Sequence, residues 1–167
     1  MKRFLFFILI AQVFYVSACK NKHVDKEFIA KIQTIPTFEA QELDSTSIFN
    51  TSKIQSGTPT IFLYFDPECH TCQDETKMLT KYIADFKGTN IIMLSMSDVP
   101  RIRKFVKDYS LDYYSNINVL KDHKYTFLNV FKLQEIPSAV IYDKEKQILK
   151  IFRYAPSREE IMELLHL

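Results

Sequence analysis

Only two glycines, Gly57 and Gly88, occur among 167 residues. A loop that cradles phosphate groups needs several glycines close together, so a nucleotide site of that kind is excluded. Tryptophan is absent, and cysteine is limited to positions 19, 69 and 72. Net charge is small as well. The formal net value is +2, and Lys2 and Arg3 account for it, leaving 20 basic against 20 acidic residues in the rest of the chain. Nothing in that balance would hold a polyanion, so nucleic acid is not a supported partner. No low-complexity tract or internal repeat interrupts the chain. What is present is the composition of a globular protein, 47% hydrophobic and 25% charged, in a length that suits one domain with a sizeable core.

The N-terminus is read before the fold. Met1-Lys2-Arg3 precedes an apolar run from Phe4 to Val16, broken only by Gln12. That run is short for a bilayer crossing, so it reads as the apolar part of an export signal and not as a transmembrane helix. It ends in Val16-Ser17-Ala18-Cys19. Small residues directly before a cysteine resemble the lipobox of bacterial lipoproteins, where the chain is cut before the cysteine and that residue is acylated. The resemblance implies a signal peptide over 1–18, lipidation of Cys19, and a mature protein anchored by lipid in the bacterial cell envelope, facing the periplasm. An ordinary secretory peptide, or an uncleaved anchor, that merely ends near a cysteine is the other reading. Residues 19–34 are polar and charged and read as a tether. An envelope compartment permits disulfides. With Cys19 acylated, Cys69 and Cys72 can form one only with each other or, transiently, with a partner.

Residues 35–167 alternate between strand and helix patterns. Phe38, Leu43, Ile48 and Phe49 sit loosely among polar residues and suggest one or two short strands. After Gly57-Thr58-Pro59, the run Thr60 to Phe65 is continuous, apolar and β-prone, as expected of a buried central strand. Met78, Leu79, Tyr82, Ile83 and Phe86 form a helical stripe closing at Gly88. A strand follows at 90–96. Asp98 caps a helix with Pro100 in its first turn and Ile102, Phe105, Val106 and Tyr109 on one face. Residues 117–120 are a short strand, and Asp122 caps a helix carrying Phe127, Leu128 and Phe131. Strands at 138–142 and 148–154 precede a last helix, for which Ser157 and Glu160 have capping-box spacing. Alternation of strands and helices demands parallel neighbours with crossover helices, and the closing pair adds an antiparallel hairpin. The expected fold is an α/β sandwich with a mixed sheet.

Against this frame stands Asp66-Pro67-Glu68-Cys69-His70-Thr71-Cys72. Two cysteines separated by two residues fit half a zinc site, a soft-metal clip or a redox dithiol. A structural zinc site needs four ligands, yet there is no second pair, and His23, His123 and His166 are scattered. A redox cysteine needs its thiolate stabilised, and a helix N-terminus supplies unpaired N–H groups and a favourable dipole. The motif falls between the 60–65 strand and the following helix. Cys69 is expected at the exposed first turn as the attacking sulfur, with Cys72 on the same side but deeper as the resolving one.

Strand, C-x-x-C, helix and a distant Ile136-Pro137 before a hairpin and final helix together resemble the thioredoxin fold. The export signal, lipid anchor, N-terminal β segment and extra strand–helix unit resemble the TlpA/ResA-like membrane-anchored thioredoxins. The resemblance covers residues 35–167 and implies a three-layer sandwich with an N-terminal β extension. It implies a thiol–disulfide oxidoreductase without a cofactor or metal, with Cys69, Cys72 and a cis Pro137 as catalytic positions. Ile136, Glu68 and His70 would face the client, and the oxidised form would hold a Cys69–Cys72 disulfide. The implied partners are a disulfide-bearing envelope protein and a DsbD/CcdA-like membrane electron donor.

The chain departs from the thioredoxin pattern at three places. Glu68 replaces the usual Trp, and His70-Thr71 replaces the usual Gly-Pro. Leu63 stands where many relatives carry a buried acid that moves protons during exchange. Two other activities fit parts of the pattern. A Cu(I)-binding module would use both thiolates with His123 as a third ligand. A peroxidase of the peroxiredoxin type would ordinarily carry Thr or Ser where Asp66 stands.

Overall fold

A computed structural model of the chain describes residues 26–166; the signal segment and Cys19 lie outside them. Residues 31–167 group as one unit and 1–30 as another. Helix α1 (Lys26–Ile32) occupies a stretch that the sequence reading assigns to tether. Phe28 and Ile32 are one helical turn apart there, a pairing hidden among charged residues. Ile32 is buried, and its carbonyl accepts the Tyr142 hydroxyl at 3.0 Å.

Seven strands form one sheet. In chain order they are β1 (Glu39–Gln41), β2 (Ile48–Asn50), β3 (Thr60–Tyr64), β4 (Asn90–Ser95), β5 (Ile117–Lys121), β6 (Ser138–Tyr142) and β7 (Ile148–Phe152). Their spatial order is β2-β1-β5-β4-β3-β6-β7. Strands β3, β4 and β5 are mutually parallel, and β6 joins β3 antiparallel. The β6–β7 hairpin closes one edge. The expected N-terminal extension is the β1–β2 hairpin, which attaches to β5 through the single register Gln41↔Lys121.

Every residue of β3 is buried, which is why its sequence is a continuous apolar run and does not alternate. Its side chains still alternate between two faces. Ile61 and Leu63 join a core with Cys72, Leu79, Ile102, Phe105 and Ile161. These come from α2 (His70–Lys81), α3 (Val99–Asp108) and α5 (Arg158–Leu165). Phe62 and Tyr64 point the other way, towards α4 (Thr126–Phe131). There Phe62 and Phe127 approach to 5.5 Å between ring centroids, and Tyr64 stacks on Phe127 at 5.6 Å. Helices thus cover both faces of the sheet, and the three layers match the expected sandwich.

The helix starts follow from their caps. Asp98 Oδ1 accepts the Arg101 N–H at 3.0 Å, and Asp122 accepts from Thr126 and Phe127 at 2.7 and 3.0 Å. The apolar stripe to Phe86 suggested one helix closing at Gly88. Instead α2 stops at Lys81, Tyr82 leaves helical geometry, and a 3-10 turn over Ile83–Phe86 follows. That tighter turn still buries Phe86, so the stripe is satisfied without a continuous helix. At α5, Ser157 and Glu160 form the full capping box. Ser157→Ala removes one side of it and is expected to cost about 1 kcal/mol, read as a lower urea midpoint with an unchanged slope.

Candidate active site

The parallel strands β3, β4 and β5 end at the same edge of the sheet, and the cysteine pair follows β3 there. Phe65 N–H still bonds the Leu94 carbonyl at 3.0 Å, after which Asp66-Pro67 stops the pairing. Asp66 then builds the turn. Its Oδ1 accepts the Glu68 N–H at 2.8 Å, and its Oδ2 accepts the Ser97 hydroxyl at 3.0 Å, tying this turn to the loop after β4. Its carbonyl accepts the Cys69 N–H at 3.1 Å.

Cys69 is the N-cap of α2, one position before the first turn where the sequence places it. Its Sγ accepts the Cys72 N–H at 3.3 Å. An N-cap acceptor satisfies one of the helix's unpaired N–H groups. Cys69 is half-buried and Cys72 buried, both as free thiols. The Cys72 sulfur receives the Asp66 N–H at 3.5 Å. Burial foremost, then the neighbouring Cys69 sulfur, push the Cys72 thiol far above its ordinary range, against the Asp66 N–H, with Glu75 adding to the rise. The pair is therefore asymmetric, as the spacing predicted.

Glu75 is the residue that sequence reasoning missed. It is 6% exposed, its Oε1 has no hydrogen-bond partner, and burial pushes its carboxyl up to about 8. It lies three residues beyond Cys72 on α2, which puts the two side chains on one helix face. The signal was present: carrying the apolar stripe back from Leu79 reaches Thr76 and Glu75 after one turn and Cys72 after two, all buried. An acid on that inward face is costly unless it stays protonated or serves a purpose. Leu63, where the thioredoxin pattern places an acid, belongs to the same core as Cys72, so Glu75 brings a carboxyl to this region from the helix instead of the strand.

The remaining expected positions fall around the sulfurs. The Ile136–Pro137 bond is cis. Ser138, the next residue, pairs with Tyr64 at the end of β3, so the proline runs past the strand end towards the cysteine turn. Ile136 and Cys69 both pack on the rim of the core that contains Cys72. Glu68 and His70 are exposed, and Glu68 pairs with Arg101 on α3 at 3.4 Å. A groove of about 410 Å³ beside this turn is lined by Pro67, Glu68, Gln73, Arg101, Lys104 and Asp108, among others. A larger one, about 530 Å³, lies between the β1–β2 loop, α3 and β5 and includes neither cysteine. His123 does not join the pair. Among the described residues no group of three or more His, Cys, Asp or Glu side chains is placed to hold a metal ion, so the copper reading loses its third ligand. Among the same residues, no helix is long and apolar enough to cross a membrane.

A mixed sheet with an asymmetric C-x-x-C at a helix start after β3, and a cis-proline leading into the neighbouring β6, defines a thioredoxin-like protein. The chain belongs to the AhpC/TSA family, whose profile matches residues 32–151. Solved structures agree on the fold. DsbF of Mycobacterium tuberculosis is 21% identical with a TM-score of 0.66, covering 81% of this chain and 94% of its own. A secreted M. tuberculosis disulfide oxidoreductase described as homologous to DsbE is 21% identical with a TM-score of 0.64, covering 81% and 96%. A secreted thiol-disulfide isomerase of Corynebacterium glutamicum is 16% identical with a TM-score of 0.63, covering 77% and 81%. No curated protein sequence matches the chain.

Proposed function

We propose that this protein is a thiol–disulfide oxidoreductase that reduces disulfides of envelope proteins through Cys69 and Cys72. The observation that carries the reading is the pair itself: Cys69 Sγ, half-buried, accepts an α2 N–H at 3.3 Å while Cys72 is buried beneath it. The Cys69 thiolate attacks one sulfur of a client disulfide and releases the other as a thiolate. Cys72 then loses its proton to the Glu75 carboxylate and attacks Cys69 Sγ in the mixed disulfide. The second client thiolate leaves, two electrons have passed to the client, and the protein holds a Cys69–Cys72 disulfide. Glu75, poised at about 8, titrates near working pH, as a proton carrier should. In this reading the cis Pro137 and Ile136 flank the client at the attacking sulfur, and Glu68 and His70 are the exposed residues that a client meets first.

The reducing direction makes a membrane electron donor of the DsbD/CcdA kind the source of electrons. Placement in the envelope is supported by the export-type N-terminus, by the lipobox-like 16–19 segment with Cys19 as the acylated residue, and by relatives of this fold described as secreted. The reduction potential of the purified protein tests the reading. A value near about −270 mV marks a reductant, whereas one near about −120 mV marks an oxidant and overturns the proposed direction.

A further inference from the structure

Tyr125 combines two features that a fold does not need. It is 53% exposed, and its backbone is left-handed at φ 54. A bulky side chain is strained in that region. The other left-handed residues have ordinary reasons. Ser110, Lys132 and His166 end helices, and Ser45 and Lys146 close hairpin turns. Tyr125 instead opens a helix. Its N–H bonds the Asp122 carbonyl at 3.2 Å, which makes it the fourth residue of a turn, a position that favours glycine.

The surroundings hold this strain in place. Asp122 grips the N–H groups of Thr126 and Phe127 on the far side of Tyr125, and the Tyr125 carbonyl accepts the Asn129 N–H at 3.1 Å. Among the described residues the Tyr125 side chain makes no hydrogen bond or ring contact, and about half of its surface is open to solvent.

Its location is the sulfur-bearing edge. Asp122 N–H bonds the Ser95 carbonyl at 2.8 Å, and two residues on, Ser97 bonds Asp66 in the cysteine turn. The loops after β3, β4 and β5 are thus linked in series. The buried Tyr64 hydroxyl lies where they meet: its ionisation is opposed by burial first, then by Asp122, Tyr125 and Asp66. The loop that carries the exposed Tyr125 ring therefore lies at the same end of the sheet as the turn that presents Cys69.

We propose that Tyr125 is a specificity-determining residue that docks the disulfide-bearing segment of a protein client while Cys69 attacks. A rigid aromatic ring contributes contact area at low entropic cost and suits an extended segment with an apolar residue beside its cysteine. Strain maintained at a functional rim under a half-exposed ring is the pattern expected of a ligand clamp. The inference rests on the thiol–disulfide reading.

The test compares two disulfides, a cystine-bridged peptide with aliphatic residues beside its cysteines and oxidised glutathione. Tyr125→Gly relieves the backbone, so Tm is expected to rise by about 3 °C. The kcat/KM ratio of peptide to glutathione disulfide is expected to fall about tenfold, through the peptide KM. Tyr125→Asn, which tolerates the same backbone but lacks the ring, is expected to behave alike, and Tyr125→Phe to retain the peptide preference. If Tyr125→Gly or Tyr125→Asn folds and keeps the wild-type ratio, the docking role is overturned. If the wild-type protein turns over neither disulfide, the redox reading fails, and the docking role with it.

Discussion

Replacing Cys69 with serine is expected to abolish disulfide reduction, by more than about a thousandfold in kcat/KM, because the hydroxyl is not ionised at neutral pH and cannot act as the nucleophile. Cys72 cannot substitute. It is buried, and its surroundings hold the proton on its sulfur far more tightly than on an ordinary thiol. Replacing Cys72 has a different outcome. Cys69 still attacks, but nothing resolves the mixed disulfide, so Cys72→Ser is expected to accumulate a covalent protein–client adduct, visible as added mass and released by dithiothreitol. An adduct that forms equally with Cys69→Ser would reverse the assigned roles. A Cys72→Ser protein that turns over like the wild type would remove the two-cysteine mechanism.

Glu75→Gln is expected to separate stability from activity. The folded state holds the Glu75 carboxyl at about 8, raised by burial from the ordinary 4.5. The folded protein thus binds this proton more tightly than the unfolded chain does. The stability it contributes is fully present below pH 4.5 and is lost as pH rises from there to about 8, at about 1.4 kcal/mol per pH unit. Glutamine does not titrate, so the variant loses that slope. Urea unfolding at pH 5, 6.5 and 8 is expected to show the wild type weakening relative to Glu75→Gln at each step. Equal slopes would mean that the carboxyl is not buried in solution. Turnover moves the other way: without a carboxylate to take the Cys72 proton, release of the mixed disulfide is expected to slow by about a hundredfold at neutral pH. The first attack, which uses Cys69 alone, is unaffected. Stopped-flow measurement of adduct formation and decay separates the two steps.

Much of this was legible in the residues. The continuous 60–65 run marked the central strand because a strand buried on both faces has no polar side to alternate with. Asp98, Asp122 and the Ser157–Glu160 pair marked helix starts because capping is local chemistry, decided within five residues. The cysteine pair at the strand–helix junction marked the site for the same reason: a helix N-terminus favours an anion wherever it is built. Helix α1 was not legible, because it is only seven residues long and Ile32 gains its burial from a core assembled by distant strands.

What the amino-acid order determined alone was therefore the set of elements, the αβ alternation and the place of the dithiol, since each depends on near neighbours along the chain. Only the tertiary structure decided that Glu75 is buried on the helix face that carries Cys72, and that the turns of Asp66 and Tyr125, 59 residues apart in sequence, share one edge. Burial is a property of the assembled core. A glutamate on a helix reads as solvated until the sheet closes over it, and only that closure raises its carboxyl to about 8 beside a buried thiol.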